Sequence, residues 1–201
     1  MDATDGDNFF SPAKEAAFLH GQALDLIAES NAMRTDGGKL NREKCREALP
    51  LLEMAVSLDP GDSAIRSHLG TVLKTLGHDD AALHHLGKTL QANPQASGTR
   101  IDVLNVLIKK RRYDEAIPLA EEGTKLHPRD SVLWYTHAHC CLSVKRYEEA
   151  LKSGKKALET ATPEDHGRSS EYKNSIVKII LLAREGIRAQ SIISRIFPSP
   201  G

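Results

Sequence analysis

Nine histidines and three cysteines are the residues of this 201-residue chain best able to hold a metal or to start a nucleophilic attack. They gather once, in the stretch HAHCCL, where His137 and His139 precede Cys140 and Cys141. A metal needs several such ligands converging on one point, and a nucleophile needs a base beside it. His137 and His139 are two apart, whereas side chains that share a helical face stand three or four residues apart. His84 and His85 are adjacent and diverge, and the remaining histidines, His20 among them, have no cysteine or carboxylate at a telling spacing. Cys140-Cys141 falls inside an expected helix and reads as packing. No phosphate-binding GxxxxGK loop, GxGxxG, HExxH or GxSxG occurs. The expectation is a chain without catalytic residues, metal or cofactor.

Composition narrows the remaining functions. Lys+Arg and Asp+Glu are equal at 27 each, so the chain lacks the basic excess of a nucleic-acid binder. Only 4% of residues are aromatic, which suits close helix packing better than a β-sandwich. Cys45, Cys140 and Cys141 are odd in number and show no CxxC spacing, so free thiols in a reducing, cytoplasmic setting are expected. The opening MDATDGDNFF lacks the basic and apolar regions of a secretory signal. No apolar run approaches the roughly 18 residues that a membrane span needs.

The elements that position these side chains are set by a period. Ala48, Ala82, Ala116 and Ala150 stand 34 residues apart, and Pro60, Pro94 and Pro128 keep the same beat, with Pro163 one residue late. Two independent markers with one period indicate a structural repeat. Between prolines the apolar spacing is helical: Ile65, Leu69, Val72, Leu73 and Leu76 lie on one face of 62–76, and a second helix runs from after Gly77 to Pro94. Further pairs are expected at 97–110 with 113–126, and at 130–144 with 147–161. Asp62, Ser97 and Asp130 follow prolines where N-caps are wanted. A helix pair of this length cannot bury its apolar face alone and must stack on neighbours.

This pattern resembles the tetratricopeptide repeat. The match rests on Leu69-Gly70, Leu73, Ala82, Leu86 and Pro94 in one repeat, and on Trp134, Ala138, Ala150, Ala157 and Pro163 in another. In the repeat between them it rests on Leu107, Tyr113, Ala116 and Pro128, with a departure at Leu104, where the family prefers a small residue. An earlier repeat shows Ala48, Leu52, Ala55 and Pro60. Its first helix begins at Ser11-Pro12, and a long insertion around 31–41 is centred on Asp36-Gly37-Gly38. The expected organisation is an acidic N-terminus at 1–10, an array at 11–163 and a capping or amphipathic helix at 164–197, then a tail at 198–201. The array divides into repeats at 11–61, 62–96, 97–130 and 131–163. The expected fold class is all-α, a right-handed superhelical solenoid of about four helix pairs with a C-terminal cap.

The resemblance implies a non-catalytic scaffold or adaptor that holds a peptide segment or partner subunit in a concave groove lined by the first helices. Transferring the family's register places Phe18, Gln22, Asp25, Ser67 and Leu142 on that surface. As partner-binding residues it gives Thr71, Lys74, Ile101, Asn105, Ile108, Lys109, Tyr135 and His139. Asn105 is the strongest candidate, because an amide can pair with both the N–H and the C=O of a peptide backbone. The clamp with which some members grip the acidic tail of heat-shock chaperones falls on Phe18, Gln22, His68, Gly98 and Asp102 here. None of these fits, and Asp102 would repel a carboxylate.

The tail leaves the 34-residue pattern. Ile176, Ile179, Ile180, Ala183 and Ile187 form an apolar stripe that suits a helix covering the end of the array. The segment 187–197, with Ile192, Ile193, Ile196 and Phe197 against Arg188 and Arg195, could continue the cap or dock on a partner or membrane surface. Folding back into the groove is a third option. The alternative overall reading is an assembly subunit that uses its convex face and this helix; an enzyme, or a regulatory domain of one, lacks any supporting cluster.

Overall fold

The computed structural model describes residues 11–32, 42–162 and 170–196, and side chains within these except at 170 and 193–196. The N-terminal segment 1–10, the centre of the insertion, Pro163, Ile193, Arg195, Ile196, Phe197 and the tail lie outside what is described of backbone or side chain. Among the described residues every element is an α-helix. In order these are α1 (Pro12–Ala32), α2 (Arg42–Leu58), α3 (Ser63–Leu76), α4 (Asp79–Ala92), α5 (Ser97–Lys109), α6 (Tyr113–Leu126), α7 (Ser131–Ser143), α8 (Tyr147–Thr160) and α9 (Ser170–Ile196). Consecutive helices pack as pairs, α1 on α2, α3 on α4 and α7 on α8. The expected all-α helix-pair repeat is therefore observed. The chain divides into two compact units, 1–106 and 107–201.

The 34-residue beat is written into hydrogen bonds as well as residue types. At the start of α3 and of α7, Asp62 and Asp130 each accept from two of the four backbone N–H groups that helix geometry leaves without partners. The same beat position before α5 is Ala96, whose backbone carbonyl accepts from Arg100 but whose side chain can cap nothing. Ser97 is thus the first helical residue rather than the expected N-cap. Four residues into each of these helices, a side chain reaches back to a proline carbonyl. Arg66 Nη2 donates to Pro60, Arg100 Nη2 to Pro94 at 2.9 Å, and Trp134 Nε1 to Pro128 at 2.9 Å.

The turns within the α3–α4, α5–α6 and α7–α8 pairs each close on one residue in the left-handed region. These residues are Gly77 (φ 93°), Arg111 (φ 58°) and Lys145 (φ 64°), again 34 apart. The following N–H groups, of His78, Arg112 and Arg146, bond back to the carbonyls of Leu73, Leu107 and Cys141, which satisfies the ends of α3, α5 and α7. Two of the three positions carry long side chains at some conformational cost.

Small residues set the helix spacing. A Cβ at Gly70 would lie 2.5 Å from Leu86 Cγ and 3.3 Å from Leu86 N, so only glycine admits this approach of α3 to α4. Ala82, Ala116, Ala150 and Ala157 are completely buried, and so is Leu104 at its departure from the small-residue pattern. On α9 the expected stripe is the packed face: Ile176, Ile179, Ile180 and Ala183 are buried, with Ile176 and Ile180 against Ala157, and Ala183 against Cys141 and Ala150. No helix of the described residues is long and apolar enough to cross a membrane.

Candidate functional site

In the first unit, side-chain contacts bridge the first helices of successive pairs. His20 Nε2 on α1 and His68 Nδ1 on α3 are 2.9 Å apart. Ser67 Oγ on α3 lies 3.0 Å from Thr99 Oγ1 on α5. Thr71 Oγ1 donates to Asp102 Oδ2 at 2.8 Å, and Lys74 Nζ pairs with Asp102 Oδ1. These contacts link helices α1, α3 and α5 into a strip. Thr71 and Lys74 are used within the strip, however, and both are committed to Asp102. The same pairing takes up the carboxylate charge for which Asp102 was set against an acidic ligand.

What the strip leaves open is different. Phe18 is 65% exposed, and Gln22, Asp25 and Asn105 are exposed, while Ile101 is half-buried beside them in sequence register. Burial lowers the tendency of His68 to take a proton, and the nearby His20 adds to this. Burial therefore favours the neutral form of His68 in this bridge.

In the second unit, Ile108 is half-buried and Lys109 exposed at the end of α5. Tyr135 and His139 lie one turn apart on α7, with ring centroids 6.4 Å apart. Tyr135 is half-buried edge-on against Tyr172 of α9, at 5.5 Å and 64°. Tyr172 donates to Ser131 Oγ at 3.1 Å. Helix α9 thus covers part of the α7 surface that the register assigns to a partner. His139 Nδ1 is buried with no hydrogen-bond partner among the described residues, and burial keeps this imidazole neutral. A cleft of about 550 Å³ opens on Trp134, Leu151 and Ile187, with Lys152 and Lys155 among its lining residues. Of these five only Ile187 was expected at a partner surface, as the start of the 187–197 segment.

The HAHCCL stretch lies in α7. Cys140 and Cys141 are buried, and burial pushes their thiols up to about 12 and about 11, so neither is a thiolate ready to attack. His137 stands four residues before Cys141, the helical spacing that His139 lacks, and this pair was the signal available in the sequence. The ligand atoms of His137, Cys141 and Glu149 all lie within 4.8 Å of one another.

No protein-family model matches the chain, and no curated protein matches it. Solved structures do match in fold. One is MamA residues 41-end from Desulfovibrio magneticus RS-1, at TM-score 0.63 and 18% identity over 92% of this chain and 98% of that one. A double mutant of MamA from RS-1 gives TM-score 0.63 and 17% identity over 88% and 96% of the two chains. MamA from MSR-1 gives 0.58 and 17% over 87% and 98%. At these identities the likeness is one of fold.

Proposed function

We propose that this chain is a non-catalytic interaction scaffold of the tetratricopeptide type, which takes a segment of a partner protein on the strip formed by α1, α3 and α5. The observation that carries this is the bridging of the three helices through His20–His68, Ser67–Thr99 and Thr71–Asp102–Lys74. These contacts fix a floor before any ligand arrives, which lowers the ordering cost of binding. Above that floor, exposed Phe18 offers an apolar anchor and exposed Asn105 offers an amide for a peptide backbone. Three free, buried cysteines suit a reducing, cytoplasmic setting.

The test is affinity capture with mass spectrometry, comparing the unaltered chain with Phe18→Ser/Asn105→Ala. Both positions are exposed, so the variant should keep its melting temperature. Loss of specific partners is expected, and an unchanged partner set at unchanged enrichment would defeat the reading.

A second reading, an assembly subunit that docks through α9, is favoured by one observation. Val177, Leu181, Leu182 and Ile192 are 40–56% exposed on a helix whose other face is packed. The variant Val177→Ser/Leu181→Ser/Ile192→Ser separates the two readings. Loss of a partner at unchanged stability points to docking, and a lowered melting temperature points to a cap.

A further inference from the structure

Two positions on α7 leave the repeat frame together. Counting back by the 34-residue period, His137 corresponds to Val103 and Leu69, and Cys141 to Leu107 and Leu73. Those four residues are buried hydrophobics. In α7 the same two places, one helical turn apart, carry an imidazole and a thiol instead. Both are buried, so the substitution is interior chemistry rather than surface variation.

The surrounding geometry is that of a ligand set. His137 Nδ1 lies 2.8 Å from Ser153 Oγ on α8. With Nδ1–H donating to that hydroxyl, Nε2 carries the free lone pair, and Cys141 Sγ flanks the ring at 3.7 Å from Nε2 and 3.9 Å from Nδ1. Bond lengths of about 2.0–2.3 Å place two ligand atoms on a tetrahedral zinc ion about 3.5 Å apart, close to the Nε2–Sγ separation, and a turn of the Cys141 side chain toward the Nε2 lone pair would let both hold one ion. Glu149, one turn before Ser153 on α8, brings a carboxylate within 4.8 Å of both. An oxygen that fixes the far nitrogen of a ligating histidine is the usual outer partner of such sites.

We propose that His137, Cys141 and Glu149 bind one zinc-class divalent cation between α7 and α8, with Ser153 orienting the imidazole and the fourth position left to water. Binding forms a metal–sulfur bond as the S–H bond breaks, and the thiol proton goes to solvent. Burial that holds the thiol protonated in the free protein is overcome by the ion's own charge. Burial also keeps the His137 imidazole neutral, the form that ligates. Glu149 must leave Arg146, to which it is held at 2.7 and 2.5 Å. That pair is exposed and weak against a metal bond. It recurs as Arg112–Glu115 one repeat earlier, so it belongs to the frame rather than to the site.

The test uses the full chain, reduced and stripped by a chelator, then titrated with Co²⁺ and afterwards with Zn²⁺. A thiolate-to-cobalt charge-transfer band that saturates at one equivalent and is displaced by Zn²⁺ is expected. His137→Val/Cys141→Leu restores the residues that the preceding repeat carries, so it should fold, melt no lower than the unaltered chain, and show no band. Glu149→Gln and Ser153→Ala should each weaken binding roughly 10-fold or more. Cys45→Ser/Cys140→Ser should keep the band. Absence of the band in the unaltered chain, or its survival in Cys141→Ser with the fold intact by circular dichroism, would overturn the assignment.

Discussion

Between α3 and α4 the close approach is apolar: Gly70 leaves room for Leu86, and Leu69 and Leu73 are buried along the same helix. Between α7 and α8, Ala138 stands where Gly70 stood, His137 and Cys141 replace the two leucines, and a His137–Ser153 hydrogen bond crosses the interface. Around both pairs the frame is unchanged, with an aspartate cap, a donor onto a proline carbonyl and a left-handed residue at the turn. The contrast teaches that the ends of each pair fix where the helices lie. Interior positions are then open to chemistry, and at His137 the buried Nδ1 finds its partner in Ser153.

The comparison is most easily broken at the small residues. Gly70→Ala should cost about 1–3 kcal/mol, because its Cβ meets both the side chain and the backbone nitrogen of Leu86. Gly154→Ala should cost less, since its Cβ meets Ile180 Cγ1 at 2.9 Å and that side chain can move. Thermal unfolding of the two variants checks the order, and a larger loss at Gly154 would reverse it. The caps come next. Asp130→Ala should lose about 1 kcal/mol, and Ala96→Asp should gain up to about that much by giving α5 the cap that α3 and α7 possess. Denaturant midpoints measure both, and a loss on Ala96→Asp would show that the three helix starts are not equivalent. Smallest is the turn at Lys145, where Lys145→Gly should gain about 0.5 kcal/mol. Equal melting temperatures for Lys145→Gly and the unaltered chain would mean that the lysine side chain offsets its own backbone strain.

Much of the fold was legible because periodic alanines and prolines report geometry directly. Ala48, Ala82, Ala116 and Ala150 mark close helix contacts, and the Ile176–Ala183 stripe marks the packed face of α9. The site was less legible. Register puts Thr71 and Lys74 on the strip, but it does not show that Asp102, one repeat later, takes both of them. Register assigned Tyr135 to a partner surface, but the approach of Tyr172 across 37 residues of sequence is a tertiary fact. At Ser97 a residue suited to capping is shifted by one from the beat, and the beat prevails. His137 and Cys141 were visible as a pair four apart, but their meaning depends on Ser153 and Glu149 from the next helix.

The reach from each first helix back to a proline carbonyl has a consequence for how this fold can vary. A carbonyl oxygen requires a donor at the right distance and nothing more, so guanidinium and indole serve as synonyms at 66, 100 and 134. A vocabulary this loose lets the spelling of a repeat drift while its grammar holds. Chains such as this one and MamA, 17–18% identical, can then keep a common backbone with few shared letters.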